Sequence, residues 1–297
     1  MNVKRAAYAS AVIAAMLWGG NFVAVRLALE HFDPYLLTML RFAFVAALLP
    51  FVGWPKVPVP TLLFYAACSG IGQYLLSTVA IQLGLSPGLA ALLMQFQVFI
   101  SLMLSWIILG ESVRTATVIG SVLGLVGLTG VLAVGGSKAP WLASSVCLIA
   151  ATGWALANMT IKRYPENVLR LQSATGLVCL PIVWLARELL VPAAPSVAHS
   201  LMEAPLVGWL PVAYVVVASF AVAQVLWGRA IGAIGVATTS PFALLIPVFG
   251  VALAWLLLGE RLSVQLLLSA VLVLVGVGVH VIFMSFKSVS VSRVKAA

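Results

Sequence analysis

Charge is scarce in this chain of 297 residues: Asp, Glu, Lys and Arg together make up 8% of it, and 63% is hydrophobic. A soluble domain carries about a quarter charged residues. So little charge cannot clothe a water-facing surface, which excludes a soluble globular class and makes the chain an integral membrane protein. Cysteine is scarce too. Cys68, Cys147 and Cys179 are odd in number and lie inside long apolar runs, so they form no disulfide framework and serve as small core residues. Acidic residues are fewer still: Glu30, Asp33, Glu111, Glu166, Glu188, Glu203 and Glu260 all fall near the ends of apolar runs or between them. A buried carboxylate relay for protons is therefore excluded. No His-Glu-x-x-His pattern, no pair of embedded aspartates and no cofactor motif occurs, and Gly84-Leu85-Ser86 runs into Pro87-Gly88, a turn. An intramembrane enzyme, a metal and a cofactor are accordingly not expected, and without a selectivity-filter sequence or a ring-forming charge neither is a channel.

Long hydrophobic runs dominate instead. About 20 apolar residues at roughly 1.5 Å rise cross the hydrocarbon once. Ten such runs are expected, at 6–29, 35–53, 61–83, 88–109, 113–135, 140–161, 168–190, 207–229, 236–258 and 262–285, with only short connections except near 187–206. Asp33-Pro34, Trp54-Pro55-Lys56, Ser86-Pro87-Gly88, Gly135-Gly136-Ser137, Tyr164-Pro165-Glu166 and Gly235 punctuate them. The runs are continuous rather than alternating, unlike barrel strands. Lys4-Arg5 and the run behind it show no small-x-small cleavage pattern and are expected to be a retained first helix.

The net charge of +9 is scattered over connections, not gathered on a face, so nucleic acid is not an expected partner and a lipid bilayer is. With both termini cytoplasmic, Lys4, Arg5, Lys56, Arg114, Lys162, Arg163, Arg170, Arg229, Lys287, Arg293 and Lys295 lie inside, and Arg26, Lys138, Arg187 and Arg261 outside. That distribution fits the positive-inside rule. Trp54, Trp141 and Trp209 stand at run ends, where interfacial anchors belong.

The chain repeats itself. Trp106-Ile-Ile-Leu-Gly-Glu111 returns 149 residues later as Trp255-Leu-Leu-Leu-Gly-Glu260, Ala80-Ile81 returns as Ala230-Ile231, Val98-Phe99 as Val248-Phe249, and Gly127 as Gly276. More loosely, Leu17-Trp18-Gly-Gly-Asn21 returns as Gly153-Trp154-Ala-Leu-Ala-Asn158. The unit is five runs, and an odd number of crossings forces the second copy into the membrane from the opposite side. The expected architecture is all-α, ten transmembrane helices in two inverted five-helix repeats, 1–137 and 138–285, with a cytoplasmic tail at 286–297. Inverted repeats suit alternating access around a midplane site.

The Trp18-Gly-Gly-Asn-Phe22 start of the first helix, Leu40-Arg41-Phe42 in the second, and the doubled Leu-Gly-Glu closing the fourth and ninth together resemble the EamA-type transporters of the drug/metabolite transporter superfamily. The resemblance covers nearly the whole chain. It implies export of amino acids or related small metabolites across a bacterial inner membrane, and it is greatest toward aromatic amino acid exporters. Other amphipathic cargo such as nucleosides or drugs is the alternative. The small multidrug pumps of the superfamily carry a first-helix glutamate that the stretch Ala14 to Asn21 lacks, which disfavours cationic drug antiport.

Polar side chains are costly in hydrocarbon, so their positions mark the expected path. Trp18, Asn21 and Phe22 share one helical face, and Gly70, Gln73, Ser77 and Gly84 form a stripe with Tyr74 beside it. Met94, Gln97, Ser101 and Ser105 form another, from which Gln95 points away. The second half adds Trp154, Asn158, Ser219, Gln224, Trp227 and Phe242. These offer amides and aromatic rings to a small amphipathic substrate, or else hydrogen bonds between helices. Pro247, opposite Gln97 in the repeat, marks a hinge, a site or a tolerated kink. Arg41 is expected to reach the interface or pair with Asp33 rather than bind cargo. Glu111 and Glu260 are expected to cap or lock the helix that follows each, and His280 to bridge helices. Gly120, Gly124, Gly127 and Gly130 bare one side of the fifth run for close packing, within one copy or across a homodimer.

Overall fold

The computed structural model describes residues 3–83, 85, 90, 93–113, 115–133, 141–165, 168–258, 264, 268, 271, 272 and 274–276. Glu166, Glu260 and His280 lie outside them, and so does the side chain of Phe22. Every regular element among the described residues is helical. Seven helices are long and apolar enough to cross a membrane: α1 (Val3–Val25, continuing to Ala28), α2 (Pro34–Val52), α3 (Val59–Ala80), α6 (Trp141–Arg163), α7 (Val168–Leu190), α8 (Leu206–Ile234) and α9 (Val236–Leu257). Between α3 and α6 lie α4 (Met94–Leu109) and α5 (Thr115–Ala133). The protein is thus an all-helical, multi-pass membrane protein. The expected spans 88–109, 113–135 and 262–285 fall partly on residues outside the described set.

Local chemistry sets the helix ends. Asp33 takes an extended conformation, and its Oδ1 accepts the Leu36 amide at 2.9 Å, with Pro34 in the first turn, where a missing N–H costs nothing. Gly110 closes α4 in the left-handed region (φ +63), and its amide and that of Glu111 both return to the Ser105 carbonyl. Gly235, at φ +85, makes the corner between α8 and α9. Of the expected anchors, Trp54 and Trp141 are exposed, whereas Trp209 packs its ring 5.1 Å from that of Phe32.

Packing follows an exchange pattern. Helix α1 lies against α8 and α9, and α6, its counterpart in the repeat, lies against α3 and α4. Helix α2 packs along α7. Each half therefore seats its first helix on the third and fourth helices of the other. Glycine makes the approaches possible: a Cβ on Gly19 would stand 2.5 Å from the Phe249 Cβ, one on Gly153 would stand 2.6 Å from the Cys68 carbonyl, and one on Gly176 would stand 2.5 Å from the Phe42 carbonyl. The bare face of α5 has a partner within the chain, since a Cβ on Gly276 would press on the Gly120 carbonyl and lie 2.8 Å from the Gly124 nitrogen. The outer surface keeps Trp106, Ile107, Ile119, Leu206 and Leu257 exposed, as lipid contact requires.

The two helices that pair in the repeat, α3 and α8, share a departure from regular winding. Residues Ala66–Leu75 of α3 and Tyr214–Val222 of α8 are π-helical. Such segments are rare and concentrate at functional sites.

If α2 and α7 touch backbone to backbone at Gly176, Gly176→Val overpacks the contact at a cost of about 1–3 kcal/mol. The thermal unfolding midpoint in detergent falls by several degrees, whereas Ala47→Val, on the exposed side of α2, leaves it unchanged.

Candidate functional site

A partly open cavity of about 150 Å³ lies where α1 and α6 cross the helices of the opposite half, room for a group the size of a benzene ring. Trp18, Asn21 and Val25 of α1 line it, as do Arg41 of α2, Gln73, Tyr74, Ser77 and Thr78 of α3, Met94 and Gln95 of α4, Trp154 of α6, Ser219 and Phe220 of α8, Ile246 of α9, and Ala90. Among the described residues its lining holds one formal charge, that of Arg41, and no carboxylate. A smaller chamber of about 30 Å³ shares Val25, Arg41 and Thr78 with it and reaches Leu29, Pro34, Leu37 and Thr38, toward the turn between α1 and α2.

Irregular winding places these side chains. At the C-terminal end of the α3 π-segment the Tyr74 carbonyl accepts the hydroxyls of Ser77 at 3.0 Å and Thr78 at 2.9 Å, turning both residues to the cavity wall. In the π-segment of α8 the Ser219 carbonyl accepts the Trp18 indole N–H at 2.9 Å, and the Ser219 hydroxyl donates to Asn21 Oδ1 at 3.0 Å. Tyr214 of the same segment donates to the Leu17 carbonyl at 3.1 Å. Helix α4 begins with a 3₁₀ turn, Met94–Phe96, which advances about 120° per residue instead of 100°. The even helical stripe expected from the sequence fails there: Gln95 faces the cavity, and Gln97 is fully buried behind it.

Trp18, Asn21, Gln73, Tyr74, Met94 and Trp154 stand on the cavity; Gln97, Asn158, Gln224, Trp227 and Phe242 do not line it, and the Phe22 side chain lies outside the described set. Trp227 donates to Asn158 Oδ1 at 3.1 Å, Asn158 donates to Ser101 Oγ at 3.5 Å, and Ser101 donates to Gln97 Oε1 at 3.1 Å. This buried chain ties α8, α6 and α4 together. Gln224 donates to the Tyr74 hydroxyl at 2.7 Å and so fixes a wall residue. Phe242 packs toward Tyr8, ring centroids 5.9 Å apart. Pro247 follows the 3₁₀ segment Ser240–Leu244 at the start of the α-helical part of α9, much as Gln97 follows the 3₁₀ turn of α4. Tryptophans of the two halves meet at the cavity wall: Trp18 lies edge-on to Trp154 at 5.3 Å and to Trp227 at 5.1 Å. Phe220 and Ile246 carried no polar signal that would have found them.

Arg41 departs from expectation. Asp33 is occupied elsewhere: its Oδ1 caps α2, and its Oδ2 sits 2.8 Å from Nε and from Nη2 of Arg187. Arg41 neither pairs with it nor reaches the surface; it is 9% exposed and faces the cavity, its guanidinium 5.8 Å from the centroid of the Tyr74 ring. Its Nε has no hydrogen-bond partner among the described residues.

Glu111 also reaches the opposite half. It caps α9, because the left-handed Gly110 turns the chain that way. Its carboxylate accepts the amides of Val236 at 3.2 Å and Ala237 at 2.9 Å, with Lys162 Nζ at 3.8 Å. Gly235 has no room for a side chain there, since a Cβ would stand 2.7 Å from Glu111 Oε1. At the other end of α7, Arg187, 2% exposed, joins Asp33 and donates to the Pro195 carbonyl at 2.7 Å. The two ties bridge the halves at opposite ends of the bundle. Arg170, whose Nε donates to the Val52 carbonyl at 2.8 Å, marks the Glu111 end and lies roughly 25 Å along α7 from Arg187.

The EamA-like transporter family model matches residues 5–133 and again 141–282. A "Probable amino-acid metabolite efflux pump" of Salmonella typhimurium is 30% identical over 91% of this chain and 93% of its own length, and its Escherichia coli namesake matches equally well. A "Probable terminal-alkyne amino-acid exporter" of Streptantibioticus cattleyicolor is 25% identical over 88% of both chains. One solved crystal structure shares the fold with a TM-score of 0.80 at 19% identity, covering 93% of this chain and 96% of that one.

Removing the Glu111 cap exposes the first-turn amides of α9. Glu111→Ala costs about 1 kcal/mol locally, so hydrogen–deuterium exchange over residues 236–239 speeds up roughly fivefold, while exchange around Asp33 and Arg187 stays as it was.

Proposed function

Because this chain belongs to the EamA-like transporter family, we propose that it exports amino acids or closely related small metabolites across a bacterial inner membrane, by alternating access around the cavity walled by Trp18, Tyr74 and Trp154. Aromatic or neutral amino acids are the favoured cargo. The observation that carries this reading is the composition of that cavity: a tryptophan from each half, with a tyrosine and amides of the first, converge on one ring-sized space in an otherwise apolar bundle. The names of the relatives, an efflux pump for amino-acid metabolites and an exporter of an amino acid, point the same way.

In this reading the fold is ten spans in two inverted five-helix repeats, 1–137 and 138–285. The exchange of α1 and α6 between halves, the meeting of Trp18 with Trp154, and the π-segments on the paired helices α3 and α8 support it. Both termini face the cytoplasm, so the Glu111 tie closes the inner end and the Asp33–Arg187 tie the outer one. Lys162, Arg163 and Arg170 cluster at the Glu111 end, as the positive-inside rule requires. The halves would rock about the cavity as one tie forms and the other breaks. Trp18, Asn21, Phe22, Gln73, Tyr74, Met94 and Trp154 touch the cargo, while Gln97, Asn158, Gln224 and Trp227 hold the wall. With no carboxylate among the described residues of its lining, export follows the solute gradient.

The test is counterflow in proteoliposomes. Unlabelled neutral amino acids inside should accelerate uptake of the labelled pool several-fold, and collapsing a proton gradient should leave that rate unchanged. Flux without trans-stimulation would mean a pore, and no flux of any amino acid would overturn the reading.

A further inference from the structure

Arg41 is a buried cation with no carboxylate partner among the described residues. It begins about 10 Å along α2 from Pro34, within a span, and 91% of its surface is covered. An ionised side chain at such depth is costly unless paired. The carboxylate nearest in sequence, Asp33, is committed to Arg187 and to its own helix cap. What holds Arg41 is the Tyr74 ring, and that ring is itself fixed by the Gln224 hydrogen bond and by edge contacts at 4.7 Å to Phe220 and 6.4 Å to Phe42. The surroundings preorganise the guanidinium without neutralising it. The side chain lines both the main cavity and the smaller chamber beside it, so a solute in either can reach it. A fork of donors with no acceptor, in a cavity without an acidic group, is complementary to a planar anion.

A second orphan faces the same space. Gln73, on the adjoining turn of α3, lines the cavity, and its buried Oε1 has no donor among the described residues. With the indole rings of Trp18 and Trp154 on the same wall, it offers an acceptor and aromatic surface to a cation.

Resting on the export reading above and deepening it, we infer that the cavity recognises the free α-carboxylate of its cargo through Arg41, and the α-ammonium through Gln73 and the tryptophan rings. The cargo class is then the zwitterionic amino acid, and analogues whose carboxylate is amidated or removed are rejected. Arg41 in this role sets specificity; it is not a structural cation.

The experiment uses three pools: the neutral L-amino acids, their carboxamides and their decarboxylated amines, with sodium acetate and sodium chloride alongside. Two readouts are taken on the full chain, the shift of the thermal unfolding midpoint in detergent and counterflow in proteoliposomes. The acid pool should shift the midpoint at concentrations at least tenfold lower than the amide or amine pool, and chloride should not substitute for it. Arg41→Gln should abolish the preference of acid over amide, and Arg41→Lys should keep it while binding several-fold more weakly, because the charge survives and the fork does not. Equal responses to acid and amide, an equal response to chloride, a retained preference in Arg41→Gln, or no response to the acid pool would each overturn the assignment. Binding of the acid pool without counterflow would overturn the export reading and leave the carboxylate site standing. If Arg41→Gln fails to fold, the comparison of pools on the unaltered protein decides by itself.

Discussion

Inside hydrocarbon no water is available to satisfy a polar group, so every amide, hydroxyl and charge placed there must find its partner in protein or in cargo. That constraint shapes the centre of this molecule. The Trp18 indole closes on a carbonyl of the α8 π-segment, the Tyr74 carbonyl gathers two hydroxyls, and Gln97, Ser101, Asn158 and Trp227 are linked in a chain across three helices. Half of these bonds cross from one helix to another, and those of Trp18 to Ser219 and of Asn158 to Ser101 cross from one half to the other. The polar residues thus lock the crossing of α1 and α6 into place while leaving a small cavity at its middle. Among the buried side-chain atoms without a partner in the described residues, Arg41 Nε and Gln73 Oε1 belong to residues on that cavity's wall.

The class of protein was legible because composition and run length are enough to recognise helices that cross a bilayer, and the duplication was written in the doubled Trp-x-x-Leu-Gly-Glu. Trp18, Asn21, Gln73, Tyr74, Met94 and Trp154 were legible as cavity residues because polar and aromatic groups in such runs are expensive and few. Helical phase was the weaker guide. A regular 3.6-residue repeat puts Gln97 on the face of Met94, but a 3₁₀ turn there puts Gln95 on the wall instead. Nor could local reading find the partners of charged residues. Asp33 and Arg41 are neighbours in sequence, yet Asp33 meets Arg187 across the halves. Glu111 likewise caps a helix more than a hundred residues away, because Gly110 and Gly235 both adopt positive φ and bring the two corners together.

Those long-range partnerships bear on mechanism. Each end of the bundle carries an acidic tie between halves: a carboxylate of the first half grips, at one end, the amides that open α9 and, at the other, the guanidinium that closes α7. Hydrogen bonds to charged groups contribute about 1.5–3 kcal/mol when well formed, a scale at which a bound solute can trade one tie against the other. The small residues at the helix crossings, Gly19, Gly153 and Gly176, let the backbones approach too closely for a side chain to fit.

The central claim, that the ties at Glu111 and at Asp33 gate opposite ends of one cavity, is tested most directly by distances between spin labels in lipid. With the buried Cys68, Cys147 and Cys179 replaced, one pair at Ser112 and Arg229 reports the first end and one at Glu30 and Ala193 the second. Glu111→Ala should lengthen the first distance by several ångströms and leave the second short, and Asp33→Asn should do the reverse. If either substitution lengthens both pairs together, or neither moves the pair at its own end, the two ties are not gates.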